Sequence, residues 1–248
     1  MIKPVSKLRS RFSIFRRSIR FSFHKLKLKS LVLNQGVHET KDLELNLDFI
    51  DDIQIFYINL DKRRDRNMSI LSEFNRMNLK NFKKISGVPL DNGALGCALA
   101  HISAINSWML SESKLLWICE DDIQFYGSKE KISELIKEFV NTPYLSVLCL
   151  GNLAKGKTIK ISSNLRVALN VQTTSSYLVK PAAVPIILES FIKSKNLLEE
   201  GQPSNTAAID VLWKKIQFKN YFAIPSDLVV SQRPSFSDIQ KRFTDYKN

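Results

Sequence analysis

From about residue 51 onward, apolar and polar positions alternate in a pattern that switches repeatedly between strand and helix periods. "DIQIFYINL" (52–60) is β-branched and aromatic and predicts a strand. "RRDRNMSILSEFNRM" then places Met68, Leu71, Phe74 and Met77 at helical spacing. A short strand, "FKKISGV", precedes a helix rich in small residues, "GALGCALAHISAINSWMLSES". The apolar run "LLWICEDDIQF" (115–125) predicts a buried strand ending on three acids, followed by a helix around 128–140 and the strand "YLSVLCLG". This alternation predicts an α/β fold, a mainly parallel sheet flanked by helices, with ligands bound beyond the carboxyl ends of the strands. The later half is less regular. "VQTTSSYLVK" reads as extended, "PAAVPIILESFI" as a helix opened by Pro181, "NTAAIDVLWKKI" as another helix and "YFAIPSDLVVSQ" as a final strand.

Residues 1–48 follow a different rule and are expected to form a basic amphipathic extension and linker, leaving 49–248 as the folded domain. Residues 1–38 hold ten Lys and Arg and no Asp or Glu, so the net charge of +13 belongs largely to this segment. The rest of the chain has 27 basic against 24 acidic residues. A nucleic-acid reader carries its positive stripe on the folded domain, so nucleic acid is an unlikely partner. Phe12, Ile14, Phe15, Ile19, Phe21 and Phe23 are interleaved with the cations. Such a segment, residues 1–30, suits an anionic membrane surface as well as it suits a solvated arm. It lacks the apolar core and cleavage site of a secretory signal, and no run of apolar residues reaches membrane-spanning length. Cys97, Cys119 and Cys149 lie far apart in apolar runs, the pattern of reduced core thiols. A cytoplasmic protein, peripheral at the inner membrane face, is the placement these features predict.

Glu120, Asp121 and Asp122 carry the sharpest chemistry. If the strand continues through them, Glu120 and Asp122 share one face and Asp121 takes the other. Two paired carboxylates at an exposed strand end suit a hard divalent cation, Mg2+ or Mn2+, which in turn holds phosphate oxygens. The same acids also suit a solvated strand end that caps the next helix. Arg63 and Arg66 follow the first strand at a helix start, where cations and backbone N–H groups can meet a diphosphate, or simply form a solvated helix face. Gly93 and Gly96 permit close approach of a ligand to the backbone, and His101 suits either an orienting role or a hydrogen-bonded core position. Trp108 and Tyr177 read as core aromatics.

These blocks, in this order, resemble glycosyltransferase family 25, which includes lipooligosaccharide and collagen galactosyltransferases. "FYINLDKRRDR" is similar to the family's opening strand and Asn-Leu-Asp-Arg-Arg-x-x-Arg stretch, with Asn59, Leu60, Arg63 and Arg66 matching. "GALGCALAHI" is similar to its Gly-Glu-Ile-Gly-Cys-x-x-Ser-His block, "ICEDDI" to its Glu-Asp-Asp, and "TSSYLVKPAA", "AAID" and "SQRPSFSDI" to later segments. Ala94 and Ala100 depart from the usual Glu and Ser. The resemblance spans about residues 52–240. It implies a GT-A-like, Rossmann-like nucleotide-sugar-binding core and inverting transfer of a sugar, by default galactose from UDP-galactose, onto a glycan or glycolipid acceptor such as a lipopolysaccharide. The donor site it implies contains Asn59, Leu60, Arg63, Arg66, Gly93, Gly96 and His101, with Glu120 and Asp122 on the metal. Inverting transfer also needs a general base. Asp210, flanked by apolar residues that would raise its pKa, is the first candidate, with Asp121, Glu199 and Glu200 as alternatives. Ala94 and Ala100 also fit a family member that binds a sugar nucleotide without transferring it.

Overall fold

The computed structural model describes residues 47–237 except 152, 153 and 155, together with 242–244 and residues 22, 25–27, 30 and 31 of the N-terminal segment. The chain divides into two compact units, Met1–Leu43 and Glu44–Asn248. Most of the basic segment expected at a membrane surface lies outside the described residues. Among the described residues no helix is long and apolar enough to cross a membrane.

The larger unit is built on one eight-stranded sheet. Its strands are β1 (Ile55–Asn59), β2 (Phe82–Ser86), β3 (Leu116–Glu120), β5 (Leu145–Cys149), β6 (Thr158–Lys160), β7 (Leu165–Ala168), β8 (Ser176–Val179) and β9 (Tyr221–Pro225). Across the sheet the order is β2-β1-β3-β8-β5-β9-β7-β6. Strands β2, β1, β3, β5, β9 and β6 run one way and only β8 and β7 run against them, so the sheet is mainly parallel, as expected. The strands β3, β8 and β9 are the most apolar because both of their faces are covered. The edge strand β2 instead exposes Lys83 and Lys84, charges that discourage pairing with another chain.

Helices α1 (Arg64–Arg76), α2 (Gly93–Met109), α3 (Lys129–Asn141) and α4 (Val184–Glu199) cover the sheet. Alternation along the strands divides the core. Phe56, Leu116, Ile118, Val147, Tyr177 and Phe222 pack with Phe191 of α4 and with Trp213. Tyr57, on the other face of β1, packs edge-on against Phe74 of α1 and against Phe82. In α1 the buried stripe is Ile70, Glu73 and Phe74, continued by Met77, whereas Met68 is 67% exposed. The expected stripe is therefore shifted, and a carboxylate, Glu73, occupies part of the buried face.

The late helix expected at "NTAAIDVLWKKI" is broken. Ala208 adopts an extended conformation (ψ 154°) between α5 (Ser204–Ala207) and α6 (Ile209–Leu212). The hydroxyl of buried Ser194 donates to the Ala207 carbonyl, which satisfies a group freed by the break. The expected final strand is also divided, into β9 and β10 (Val230–Gln232), and β10 pairs antiparallel with β4 (Ile123–Phe125). A further short pair, β11 (Ser235–Ser237) with β12 (Arg242–Thr244), follows.

Glu73 explains why the chain returns this way. Its carboxylate accepts hydrogen bonds from Arg76, from Arg233 just after β10, and from the Phe125 amide (3.1 Å), and Arg233 also donates to the Ser69 hydroxyl. The backbone N–H of Arg233 donates to the Asp122 carbonyl at 2.7 Å. Removing Glu73 takes the acceptor from the buried Phe125 amide and the partner from Arg233, while half-exposed Arg76 keeps its solvent. Glu73→Ala should lower stability by about 3 kcal/mol in urea unfolding, and Glu73→Gln, which keeps an acceptor, by less.

Candidate active site

The carboxyl ends of β1, β2 and β3 open into a cleft of about 310 Å3. Leu60, Arg63, Arg66, Gly93, Gly96, His101, Glu120, Asp121 and Asp122 all line it, together with Gln232. Asn59 lies just behind, buried, and holds Asp121. A volume near 300 Å3 is at the lower end for small-molecule sites.

The three acids do not divide by strand alternation as expected. β3 ends at Glu120, and Asp121 and Asp122 form the turn into β4, so both turn acids reach one guanidinium. Arg66 Nη1 stands 2.9 Å from Asp121 Oδ1 and 3.3 Å from Asp122 Oδ2. Asp121 Oδ2 also accepts from Asn59 Nδ2 at 2.7 Å. Asp122 accepts a longer bond from Gln232 Nε2, at 3.3 Å. Glu120 lines the same cleft and lies close enough for its charge to act on Asp122, but its own contacts are different. Its Oε1 accepts from the Thr174 hydroxyl at 3.0 Å and lies 3.6 Å from His101 Nε2, beyond hydrogen-bond length.

Burial sets the electrostatics. It pushes Asp122 up to about 7, the negative Glu120 adds to the shift, and Arg66 only partly offsets them. Burial likewise raises Asp121 against the pull of Arg66 and Asn59. For Glu120 burial works upward as well, but His101 and the Thr174 hydroxyl outweigh it and its pKa falls below the ordinary glutamate value. Arg63 is engaged by Asp65, which the guanidinium holds down to about 2.

Gly96, besides lining the cleft, has a packing role. A Cβ there would stand 2.3 Å from the Val88 carbonyl oxygen, so the missing side chain lets the first turns of α2 lie against the loop after β2. Asn92 caps the same helix end through its side-chain oxygen, which accepts from the Leu95 amide at 3.2 Å. His101 is wholly buried, with Nδ1 2.9 Å from the Tyr177 hydroxyl and its ring stacked on the tyrosine ring. Ala94 and Ala100 are buried in the same helix, and Ala100 lines the cleft.

Asp210 does not line the cleft. It sits half-buried in α6, raised by burial above all, and it lies close enough for its charge to act on Glu120 and Cys97. Glu199 and Glu200 are exposed at the end of α4, and Glu199 pairs with Lys195 at 2.7 Å. Gln232 and Thr174 touch the acids without standing out in the sequence. Their only signal there is membership of the "SQRPSFSDI" and "TSSYLVKPAA" blocks.

No protein-family model matches this chain, and no curated protein does. Among solved structures it is similar to a glycosyltransferase involved in the glycosylation of the major capsid of PBCV-1, at 11% identity and TM-score 0.46 over 76% of this chain and 96% of that one. It is also similar to mannose-1-phosphate geranyltransferase from Thermus thermophilus, at 9% identity and TM-score 0.37 over 70% and 73% of the two chains. The GT-A-like α/β fold stands on the strand order and pairing described above.

Asp122 binds a proton more readily folded than unfolded, so its contribution to stability is present at low pH and is lost as pH rises from about 4 through about 7. Asp121 and Asp210 are raised in the same direction, whereas Glu120 and Asp65 are shifted the other way. In chelator, the melting temperature should be higher at pH 5.5 than at pH 7.5, by roughly 2–4 °C per kcal/mol, and Asp122→Asn should flatten the difference. Gly96→Ala should cost about 1–3 kcal/mol in urea unfolding, the usual range for overpacking.

Proposed function

We propose that this chain is a nucleotide-sugar-dependent glycosyltransferase, working with inversion through a divalent cation. The observation that carries the reading is geometric: three carboxyl groups and one half-buried arginine meet at the carboxyl ends of parallel strands, in a cleft with Lys62 and Arg63 at its lining. The three acids crowd one guanidinium in a poorly solvated place, and their mutual repulsion helps raise Asp122. A hard cation, Mn2+ or Mg2+, fits that donor set of oxygens. Glu120 and Asp122 would hold it, since Asp121 is already bound by Asn59 and Arg66. When bound, it would act as a Lewis acid toward the departing diphosphate.

The chain's own residues supply the rest. Arg66 fixes Asp121 and Asp122 against each other, and Gln232 orients Asp122 from the returning C-terminal segment. Leu60, Arg63, Gly93 and Gly96 border the space for the donor, with His101 at its buried end. Asp210, outside the cleft lining but close enough for its charge to act on Glu120, is the proposed base, which requires the acceptor hydroxyl to reach past the cleft wall to it; burial raises its pKa. Asp121 is the alternative, and its bonds to Asn59 and Arg66 make it the poorer base. UDP-galactose as donor, and a glycan or glycolipid such as a lipopolysaccharide as acceptor, rest on the resemblance to family 25 alone. Residues 1–30 would then hold a separate catalytic domain to an anionic cytoplasmic membrane face, which binding to anionic vesicles with and without those residues tests.

The decisive experiment offers UDP-, GDP- and CMP-sugars with and without Mn2+. One UDP-sugar should turn over only with the metal, and Asp122→Ala should lower the rate on the order of a hundredfold or more, reflecting several kcal/mol of lost charge stabilisation. Asp210→Asn should lower kcat by roughly 10²–10⁴-fold while leaving donor affinity unchanged. Donor binding without turnover across a range of acceptors would instead mark a sugar-nucleotide-binding protein.

A further inference from the structure

Beside the three acids lies a second donor set of different chemistry. Cys97 and His101 stand one helical turn apart on α2 and face the end of β3, where Glu120 points toward them. A cysteine sulfur, an imidazole nitrogen and a carboxylate oxygen from these residues all lie within 4.8 Å of one another. We propose that Cys97, His101 and Glu120 bind a thiophilic divalent cation of the zinc class, leaving a fourth position open to the cleft.

The strongest support is His101 itself. It is completely buried, and among the described residues its Nε2 has no hydrogen-bond partner. A buried nitrogen left so has lost its hydration without a replacement, which a bound ion supplies. The other ring nitrogen, Nδ1, is 2.9 Å from the Tyr177 hydroxyl, and the tyrosine ring stacks on the imidazole at an interplanar angle of 15°. In the metal-free protein a proton on Nε2 faces Glu120; in the tautomer with Nδ1–H donating to Tyr177 Oη, the Nε2 lone pair is turned instead toward an ion placed between the two residues. Metal-binding histidines are held in this way, by a partner on the nitrogen that does not bind the ion.

The spacing also suits a tetrahedral ion. His101 Nε2 and Glu120 Oε1 are 3.6 Å apart, close to the edge of about 3.3 Å expected for ligands about 2.0–2.1 Å from zinc. The sulfur, within 4.8 Å of both, must come to about 3.6 Å from them. Thiolate, carboxylate and neutral imidazole together cancel the charge of a divalent ion, and sulfur with nitrogen selects zinc over magnesium. Burial raises the Cys97 thiol well above its ordinary range, so it is protonated before the ion arrives. On binding, the S–H bond breaks, an S–Zn bond forms and the proton leaves to solvent. All three residues line the cleft, which provides the entry path, and Cys119 and Cys149 are enclosed within β3 and β5. The site does not depend on sugar transfer. It shares Glu120 with the proposed diphosphate cation but uses neither turn acid.

Cobalt tests this in the full-length protein. Metal-free protein titrated with Co2+ should develop a thiolate-to-cobalt charge-transfer band in the near ultraviolet and the visible bands of a tetrahedral ion, both abolished by added Zn2+. Cys97→Ser should lose the charge-transfer band, and Tyr177→Phe should weaken zinc binding about tenfold or more, as loss of an outer-shell partner does. Asp122→Asn should keep the band, even if it abolishes any manganese-dependent turnover. Absence of the band in the wild-type protein, its persistence in Cys97→Ser or its loss in Asp122→Asn would each overturn the site. Because Cys97 is only partly buried, Cys97→Ser keeps the test independent of whether buried His101 tolerates replacement.

Discussion

The contact between Arg66 and the two turn acids is the constraint around which this structure is organised. Asp121 and Asp122 are both nearly buried, and repulsion between them and Glu120 would drive the turn after β3 open if nothing opposed it. Arg66 reaches both from the first turns of α1. That reach fixes where α1 begins relative to β3. Asn59, at the end of β1 between them, is thereby committed to holding Asp121. The ends of two neighbouring strands and the start of one helix are in this way tied into a single charged knot.

The C-terminal part of the domain is drawn to the same knot. β10 pairs with β4 directly after the acids, and this places Gln232 on Asp122 and Arg233 on its carbonyl. Glu73 anchors Arg233 from the buried face of α1. Residues more than a hundred positions apart therefore meet at one turn. The wall formed by α2 is built differently. It approaches through Gly96 and a capped helix end, and it brings a cysteine and a histidine where the opposite wall brings arginines. The cleft thus has two chemically distinct sides, one of oxygen donors and cations and one with sulfur and nitrogen.

Much of this was legible in the sequence because strands covered on both faces must be apolar throughout. β1, β3, β5 and β9 announced themselves in that way, and the residues at the ends of β1 and β3 marked the cleft. What failed has local causes. Alternation would pair Glu120 with Asp122 only on a strand that ran through all three acids, but β3 stops at Glu120 and turn geometry sends Asp121 and Asp122 to the same arginine. The buried stripe of α1 departs from the apolar pattern because Glu73, a charged residue, occupies a position that only the distant Arg233 makes tolerable. The break at Ala208 and the division of the last strand likewise depend on tertiary partners, Ser194 and β4, that no local pattern reveals. Gln232 and Thr174 joined the site for the same reason.

Whether the crowded acids at the end of β3 hold a cation for a diphosphate is read out by anomalous diffraction from crystals grown with Mn2+ and UDP. A manganese peak is expected in the cleft within coordination distance of Asp122 and Glu120, roughly 2.0–2.6 Å, with the UDP phosphate oxygens completing its shell. UDP bound elsewhere, or bound in the cleft with no manganese at these carboxylates, would contradict it.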